Sequence, residues 1–537
     1  MTNDRRPTRN DQRPGANDHQ AVASTTDSVE TSVRRSSLVV RRFTPNTTLA
    51  LLSFAVFLGA VDLTIVTAVL PKIVLDLQVS IDTELNRAAW VITGYLLAYT
   101  VSMTFTGRLS DLYGRRQAYM VCLAVFTLGS AAVAAAPTLA SVVAARVAQA
   151  LGAGALVPIA MALAGDLFPP GRRAAALGII AAVDTAGWMV GHLYGGALMR
   201  LFDNWRLLFW INVPLGVAAL ALTWLALRSL PIPRAAGSFD WRGALLVSGG
   251  LTALNMALSV GAELGQADFY GQRAGPPPYA LPLALLALAL LAAFVWAERR
   301  ARYPLLDLGL FRRRGAAAAC AINALAGFAL ALAIANVPLF INTRLALLNP
   351  TEPDILRRGA WESGLVLSAL TLTMAATAPA GGWLAARTGH RPPALLGIAL
   401  AAAGYGLLCL WQAGTGYPVM VGGLMVAGAG LGVTLAPAAD AVIAAADATH
   451  RGAASALVIV LRLTGMTLGV STLTLWGVRR QDALRRAAAD NPQALSDPAG
   501  FLLDVAARVV AETFLFAVAA LLLALALSLL LRGRGEY

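Results

Sequence analysis

Lysine is almost missing from this 537-residue chain: Lys72 is the only one, and every other basic side chain is arginine or histidine. A Walker A loop needs a Gly-Lys-Ser/Thr step at a helix N-terminus, so ATP hydrolysis by that route is excluded. The loose glycine patterns around Gly152 and Gly428 lie in apolar runs, where glycine lets helices approach closely. Cysteine is nearly as scarce. Cys122, Cys320 and Cys409 each fall within an apolar run, with no paired spacing and no neighbouring histidine, which argues against both a disulfide framework and a metal site. Of the four histidines, His19, His192, His390 and His450, none begins a His-x-x-x-x-Asp pair, so a membrane acyl or glycosyl transferase finds no machinery here. Charge is sparse too, at 13% of residues against about 25% in an ordinary soluble domain.

What fills the chain instead is apolar: 58% hydrophobic residues and a mean hydropathy of +0.66. A membrane span needs roughly 20 apolar residues to cross about 30 Å of hydrocarbon. Such runs recur at about 47–70, 88–107, 117–136, 139–162, 174–199, 206–228, 240–261, 279–297, 316–342, 360–385, 393–411, 417–441, 452–477 and 510–531. This pattern predicts an all-α integral membrane protein with 14 transmembrane helices. The net charge of +13 sits in short arginine clusters between spans, so nucleic acid is not an expected partner. Residues 1–46 are polar and lack the apolar stretch of a cleaved signal, and are expected to be a disordered tail.

Arginine accumulates in every second connection: Arg115 and Arg116, Arg172 and Arg173, Arg234, the run 299–314, Arg387 and Arg391, and Arg451. Cationic flanks are retained in the cytoplasm, so both termini are expected there, with the chain multi-pass in the inner (cytoplasmic) membrane. The stretch GRLSDLYGRR at 107–116 is echoed by GWLAARTGHR at 382–391, with Gly, Leu, Gly and the final Arg in register. If spans seven and eight are an insertion, this repeat joins two six-helix units in a 6 + 2 + 6 plan around a central cavity. The expected divisions are 47–230 for the first bundle, 231–300 for two inserted linker helices and 301–537 for the second bundle.

At 107–116 the sequence resembles the loop signature of the major facilitator superfamily. VDLTIVTAVLP at 61–71, RVAQ at 146–149 and NWRLLFWINVP at 204–214 are similar to its fourteen-helix drug:H⁺ antiporter branch, as are DWRG at 240–243 and PLLDLGLF at 304–311. Within that branch, 90–99, 209–216 and RLTGM at 462–466 look like the mycobacterial type that exports triacylglycerols and drugs. The resemblance implies the major facilitator fold. Two departures stand out. Leu112 occupies a place that is usually basic, and the fifth-span antiporter motif keeps Gly187, Gly191, Gly195 and Gly196 but has His192 where proline is usual.

A charge at the bilayer centre costs at least about 2.5 kcal/mol, so ionisable residues there need a cavity, a partner or a function. Asp62, Asp184, Arg146 and Arg462 all fall within spans. Burial and a nearby arginine pull a carboxyl's proton affinity in opposite directions, so such a pair can take up and release a proton as access alternates. Asp62 leads as the proton carrier, a role the resemblance also implies; the alternative is an aspartate held permanently by a buried arginine. Asp184 is the second candidate. Arg146 and Arg462 either neutralise these carboxylates or grip an anionic headgroup, while Arg146 has the further option of tying helices through backbone carbonyls. His192 titrates in a useful range or simply packs, and Asp440, near a span end, reads as solvated.

Gly107, Arg108, Asp111, Gly114, Arg115 and Arg116 are expected to form a cytoplasmic gate, with Asp111 at a helix N-terminus and the arginines pairing across the halves; topology anchoring alone is the other reading. From Gly452 the apolar period continues past Trp476 into RRQDALRRAAA at 479–489, so the helix is expected to project outside. Ser496 is expected to cap a returning helix, giving an external hairpin over 478–509 that guides a lipid or docks a lipid-carrying lipoprotein; a flexible loop is the alternative. The functional expectation is a proton-coupled exporter of hydrophobic or amphipathic compounds, either lipids such as triacylglycerols or small cationic drugs. It needs no cofactor beyond the proton gradient. A non-transporting scaffold or receptor is the reading from a different class.

Overall fold

The computed structural model describes residues 43–78, 81–228, 235–267, 279–349, 351, 355–487 and 496–531. Most of the expected tail lies outside them, and its last two residues belong to a helix, because α1 begins at Pro45. The first helices are α1 (Pro45–Asp76), α2 (Ile81–Tyr113), α3 (Arg115–Ala135), α4 (Leu139–Leu167), α5 (Pro170–Phe202) and α6 (Trp205–Leu227). Two more follow, α7 (Trp241–Ala267) and α8 (Ala280–Glu298), and then α9 (Arg314–Leu348), α10 (Ile355–Thr388), α11 (Arg391–Leu408), α12 (Tyr417–Ala445) and α13 (Arg451–Thr472). A π-turn over Leu473–Gly477 carries α13 into α14 (Val478–Ala487), and α15 is Pro498–Ser528. Local chemistry sets several ends. Thr138 and Ser141 form a reciprocal capping box on α4, and Asn204 caps α6 through the amide of Arg206.

Among the described residues, twelve helical segments are long and apolar enough to cross a membrane, against the fourteen spans expected. The two long helices outside this set are α2 and α7.

The packing repeats itself. In the first unit α1 lies on α5, α4 on α2 and α3, and α3 on α6; in the second α9 lies on α13, α12 on α10 and α11, and α11 on α15. Each contact in one unit has its counterpart in the other, which is the pattern of a pseudo-twofold. The units meet where α2 packs on α13 and where α10 packs on α5. Both seams are built on glycine. A Cβ on Gly107 would strike the carbonyl of Gly452, one on Gly452 would strike the carbonyl of Gly107, and one on Gly382 would strike that of Ala174. The pair α7–α8 packs on itself, and α7 also touches α2 and α13, through Thr104–Ser248 at 3.1 Å and Thr467–Asn255 at 2.7 Å.

Candidate functional site

Asp62 is fully buried in the first unit. Its carboxylate accepts from Arg146 Nη1 at 2.5 Å, Gln149 Nε2 at 2.8 Å and Asn212 Nδ2 at 3.0 Å. Gln149 also donates to Ser130, and the Arg146 guanidinium lies 3.8 Å from the Tyr95 ring centroid. A buried charge is tolerated only when its lone pairs are met, and here α4 and α6 supply donors for both oxygens. Gly187 and Gly191 let α5 close over this place, since a Cβ on Gly191 would come within 2.5 Å of the carbonyl of Val61. Thr64 Oγ1 then donates to the carbonyl of Trp188 at 2.9 Å. α5 runs unbroken through Gly191, His192, Gly195 and Gly196, so the missing proline leaves a continuous helix.

Asp184 stands in a different setting. It accepts from Arg462 Nη2 at 3.1 Å, which joins α5 of the first unit to α13 of the second. Its other oxygen, Oδ1, and Arg462 Nε are buried without a hydrogen-bond partner. The pair opens on a cleft of about 310 Å³, mouth included, whose walls are apolar side chains of α4, α5, α12 and α13 together with Asn323 of α9. Only about 10 Å³ of it is open to the centre of a water molecule, far less than a ligand site needs, so any cargo needs the halves to part. Asp62 does not line this cleft.

At the arginine-rich end, Asp111 reaches from α2 across the seam. It accepts from the amides of Gly452 and Ala453, both at 3.0 Å, and so caps the positive end of α13. Arg115 holds Asp111 with Nη2 at 2.7 Å and gives a second bond across the seam to the carbonyl of Ala448 at 2.7 Å. Its Nη1 pairs with Asp166 of α4, which also accepts from Arg451 of the second unit at 3.1 Å. Two carboxylates and two arginines thus form a neutral latch between the units.

The family model of the major facilitator superfamily matches residues 52–470 of this chain. The chain belongs to that superfamily. A triacylglyceride transporter of Mycolicibacterium hassiacum is 34% identical over 436 residues, covering 79% of this chain and 78% of that protein. One of Mycolicibacterium smegmatis is 31% identical over 506 residues, covering 90% and 87%. Among solved structures, the human organic anion transporter MFSD10 aligns at a TM-score of 0.54 with 16% identity, over 89% of this chain and 99% of that one. The proton:xylose symporter XylE aligns at 0.52 with 13% identity, over 88% and 94%. These two likenesses carry the fold only. This is a multi-pass membrane transporter, not an enzyme.

Several expectations for this facilitator need correction. Asp440 is not solvated: it is buried, and accepts from Arg173 Nε of the other unit at 2.5 Å and shares a 2.8 Å contact with His390 Nε2. It escaped notice because a carboxylate near a helix end usually faces water, whereas here the opposite unit covers it. Arg116 does not pair across the halves; its Nη1 donates to the carbonyl of Arg228 at 3.1 Å, within the first unit. Arg108 is buried with Nε and Nη1 unpartnered and makes no cross-seam pair among the described contacts. Asp166 and Asn212 were missed. Their signal was positional, since Asp166 precedes a basic turn and Asn212 lies in an otherwise apolar span.

At the far end of α13 the regular helix ends at Thr472 and a π-turn intervenes. The cap of α15 is Asp497, one residue after Ser496, and its side chain accepts from the amide of Gly500 at 2.9 Å. α14 and α15 meet through a bidentate pair, Arg480 to Glu512 at 2.7 and 2.9 Å, and through Trp476 edge-on to Phe516. The turn between them, 488–495, lies outside the described residues.

Proposed function

We propose that the chain is a proton-coupled exporter of hydrophobic or amphipathic molecules in the cytoplasmic membrane, with fourteen spans, both termini inside, and lipids such as triacylglycerols as cargo. The observation that carries this reading is the Asp184–Arg462 pair, which joins the two units inside an apolar cleft. Deprotonated, Asp184 holds Arg462 and draws α5 and α13 together. A proton arriving from outside neutralises Asp184 and removes the attraction, and the freed guanidinium gains from hydration in a widened cavity. The latch at Asp111 and Asp166 is the cytoplasmic gate, closed here, and its opening lets the proton leave inward while cargo enters. Asp62 is assigned the anchoring role, because its donors come from its own unit and leave no route to the cleft.

The names of the mycobacterial relatives support a lipid cargo, and so do the apolar cleft walls. The α14–α15 pair is assigned to the external face as a guide for lipid or a dock for a lipid-carrying lipoprotein. A small cationic drug is the second reading, favoured by the unpartnered Asp184 Oδ1, which offers a cation a counter-charge. Proteoliposomes carrying fluorescent triacylglycerol or ethidium under a pH gradient separate the two. Transport of the lipid is expected; ethidium flux without lipid flux overturns the lipid reading. Asp184→Asn is expected to bring gradient-driven flux to background while the protein stays folded. Undiminished flux in that variant removes Asp184 from the coupling step.

A further inference from the structure

The two latches differ by a pair of substitutions in register. In the first repeat Asp111 and Arg115 follow Gly107 by four and eight places; in the second, Ala386 and His390 follow Gly382 by the same intervals. The first latch balances Asp111 and Asp166 against Arg115 and Arg451. The second has one carboxylate, Asp440, held between Arg173 of α5 and His390 at the start of α11. Loss of the acid and replacement of arginine by histidine go together. With His390 neutral the second latch is balanced like the first, and with His390 protonated it holds one positive charge too many in a buried place.

We infer that His390 makes the second latch a proton-sensitive switch, which cytoplasmic acid loosens. This rests on reading the arginine-rich end as the cytoplasmic gate. Arg173 belongs to the first unit, while Asp440 and His390 both belong to the second and stay together when the units part. Arg173 and His390 sit against the two oxygens of one carboxylate, at 2.5 and 2.8 Å, so a proton on His390 is repelled by Arg173 only while the latch is closed. Whatever binds one state better shifts the population toward it, so protonation favours separation. The other charged groups nearby do not cancel this. Arg387 of α10 is exposed and lies 3.8 Å from the Trp383 ring centroid, Arg391 of α11 is exposed, and Arg313 donates to the carbonyl of Ala445 at 2.5 Å. These three are positive, and Asp166, next to the Gly165 that the Arg173 side chain approaches, is already paired with Arg115 and Arg451.

The test is a distance measurement by electron spin resonance in nanodiscs. Spin labels go at Gly171 and Pro392, both exposed, after replacement of the three native cysteines. Between about pH 8 and 5.5 the separated population of the wild type is expected to rise about tenfold. In an Asp184→Asn background, where the coupling carboxylate no longer takes up a proton, His390→Gln is expected to hold the pH 8 distribution throughout. Ala386→Asp, which restores the missing acid, is expected to flatten the response even if His390→Gln folds poorly. Asp184→Asn is expected to keep the wild-type response, so that failure of the coupling proposal and failure of this one are told apart. A wild-type distribution that does not move with pH overturns the inference, as does a His390→Gln profile like the wild type's, an unflattened Ala386→Asp response, or a response lost in Asp184→Asn.

Discussion

Asp62 and Asp184 are the same residue type, each buried and each facing an arginine, yet they are built for opposite ends. Around Asp62, donors from Arg146, Gln149 and Asn212 meet both oxygens, and all of them belong to one unit. Asp184 accepts a hydrogen bond from an arginine of the other unit, and one oxygen is left over. Saturation holds a charge still. A half-satisfied charge at a seam is ready to change partners, because little is lost when it does. Burial alone does not separate the two; the number of donors and the unit they come from do, and the proposed coupling role of Asp184 rests on that difference.

The sharpest way to break this comparison is to delete the two cations separately. Arg146→Met leaves Asp62 charged and sealed without its main partner, and is expected to destabilise the fold by about 3–5 kcal/mol, as when one member of a buried pair is removed. Thermal unfolding in detergent should show a large drop in midpoint and poor recovery of folded protein. Arg462→Met removes the same charge from a site that opens on the cleft, where water can reach Asp184, so its effect on stability is expected to be about 1–2 kcal/mol at most. Its transport defect should be nearly complete. Equal unfolding midpoints for the two variants would erase the distinction drawn here.

The smallest of the three effects on stability, and the most specific, is expected from Gly452→Val. The new side chain meets the backbone of Gly107 and the carboxylate of Asp111, and only separation of α2 from α13 relieves the clash. Labelling of cysteines placed along the arginine-rich end of the α2–α13 seam should become faster, with the unfolding midpoint nearly unchanged. Labelling as slow as in the wild type would mean that the α2–α13 contact does not hold the seam shut.

Much of this was legible in the sequence, and the reasons are physical. Apolar runs of about 20 residues have few alternatives to membrane helices, and the repeat at 107–116 and 382–391 marks the two seams because close helix crossings need glycine. Asp62, Asp184, Arg146 and Arg462 were found because charge in hydrocarbon is costly enough to stand out. What the sequence hid was which carboxylate goes with which cavity. That depends on helix crossings between residues far apart in the chain, such as Asp62 with Asn212 and Asp184 with Arg462, and periodicity within one helix says nothing of them.

The cap on α13 has a consequence for how the molecule moves. When Asp111 withdraws from the amides of Gly452 and Ala453, the first turn of a helix in the opposite unit loses its acceptor, and water must take over both N–H groups before the parted state can persist. Hydration of a helix end thus becomes part of each parting of the units, and the opening on that side is wetted by two bare amides whatever passes through it.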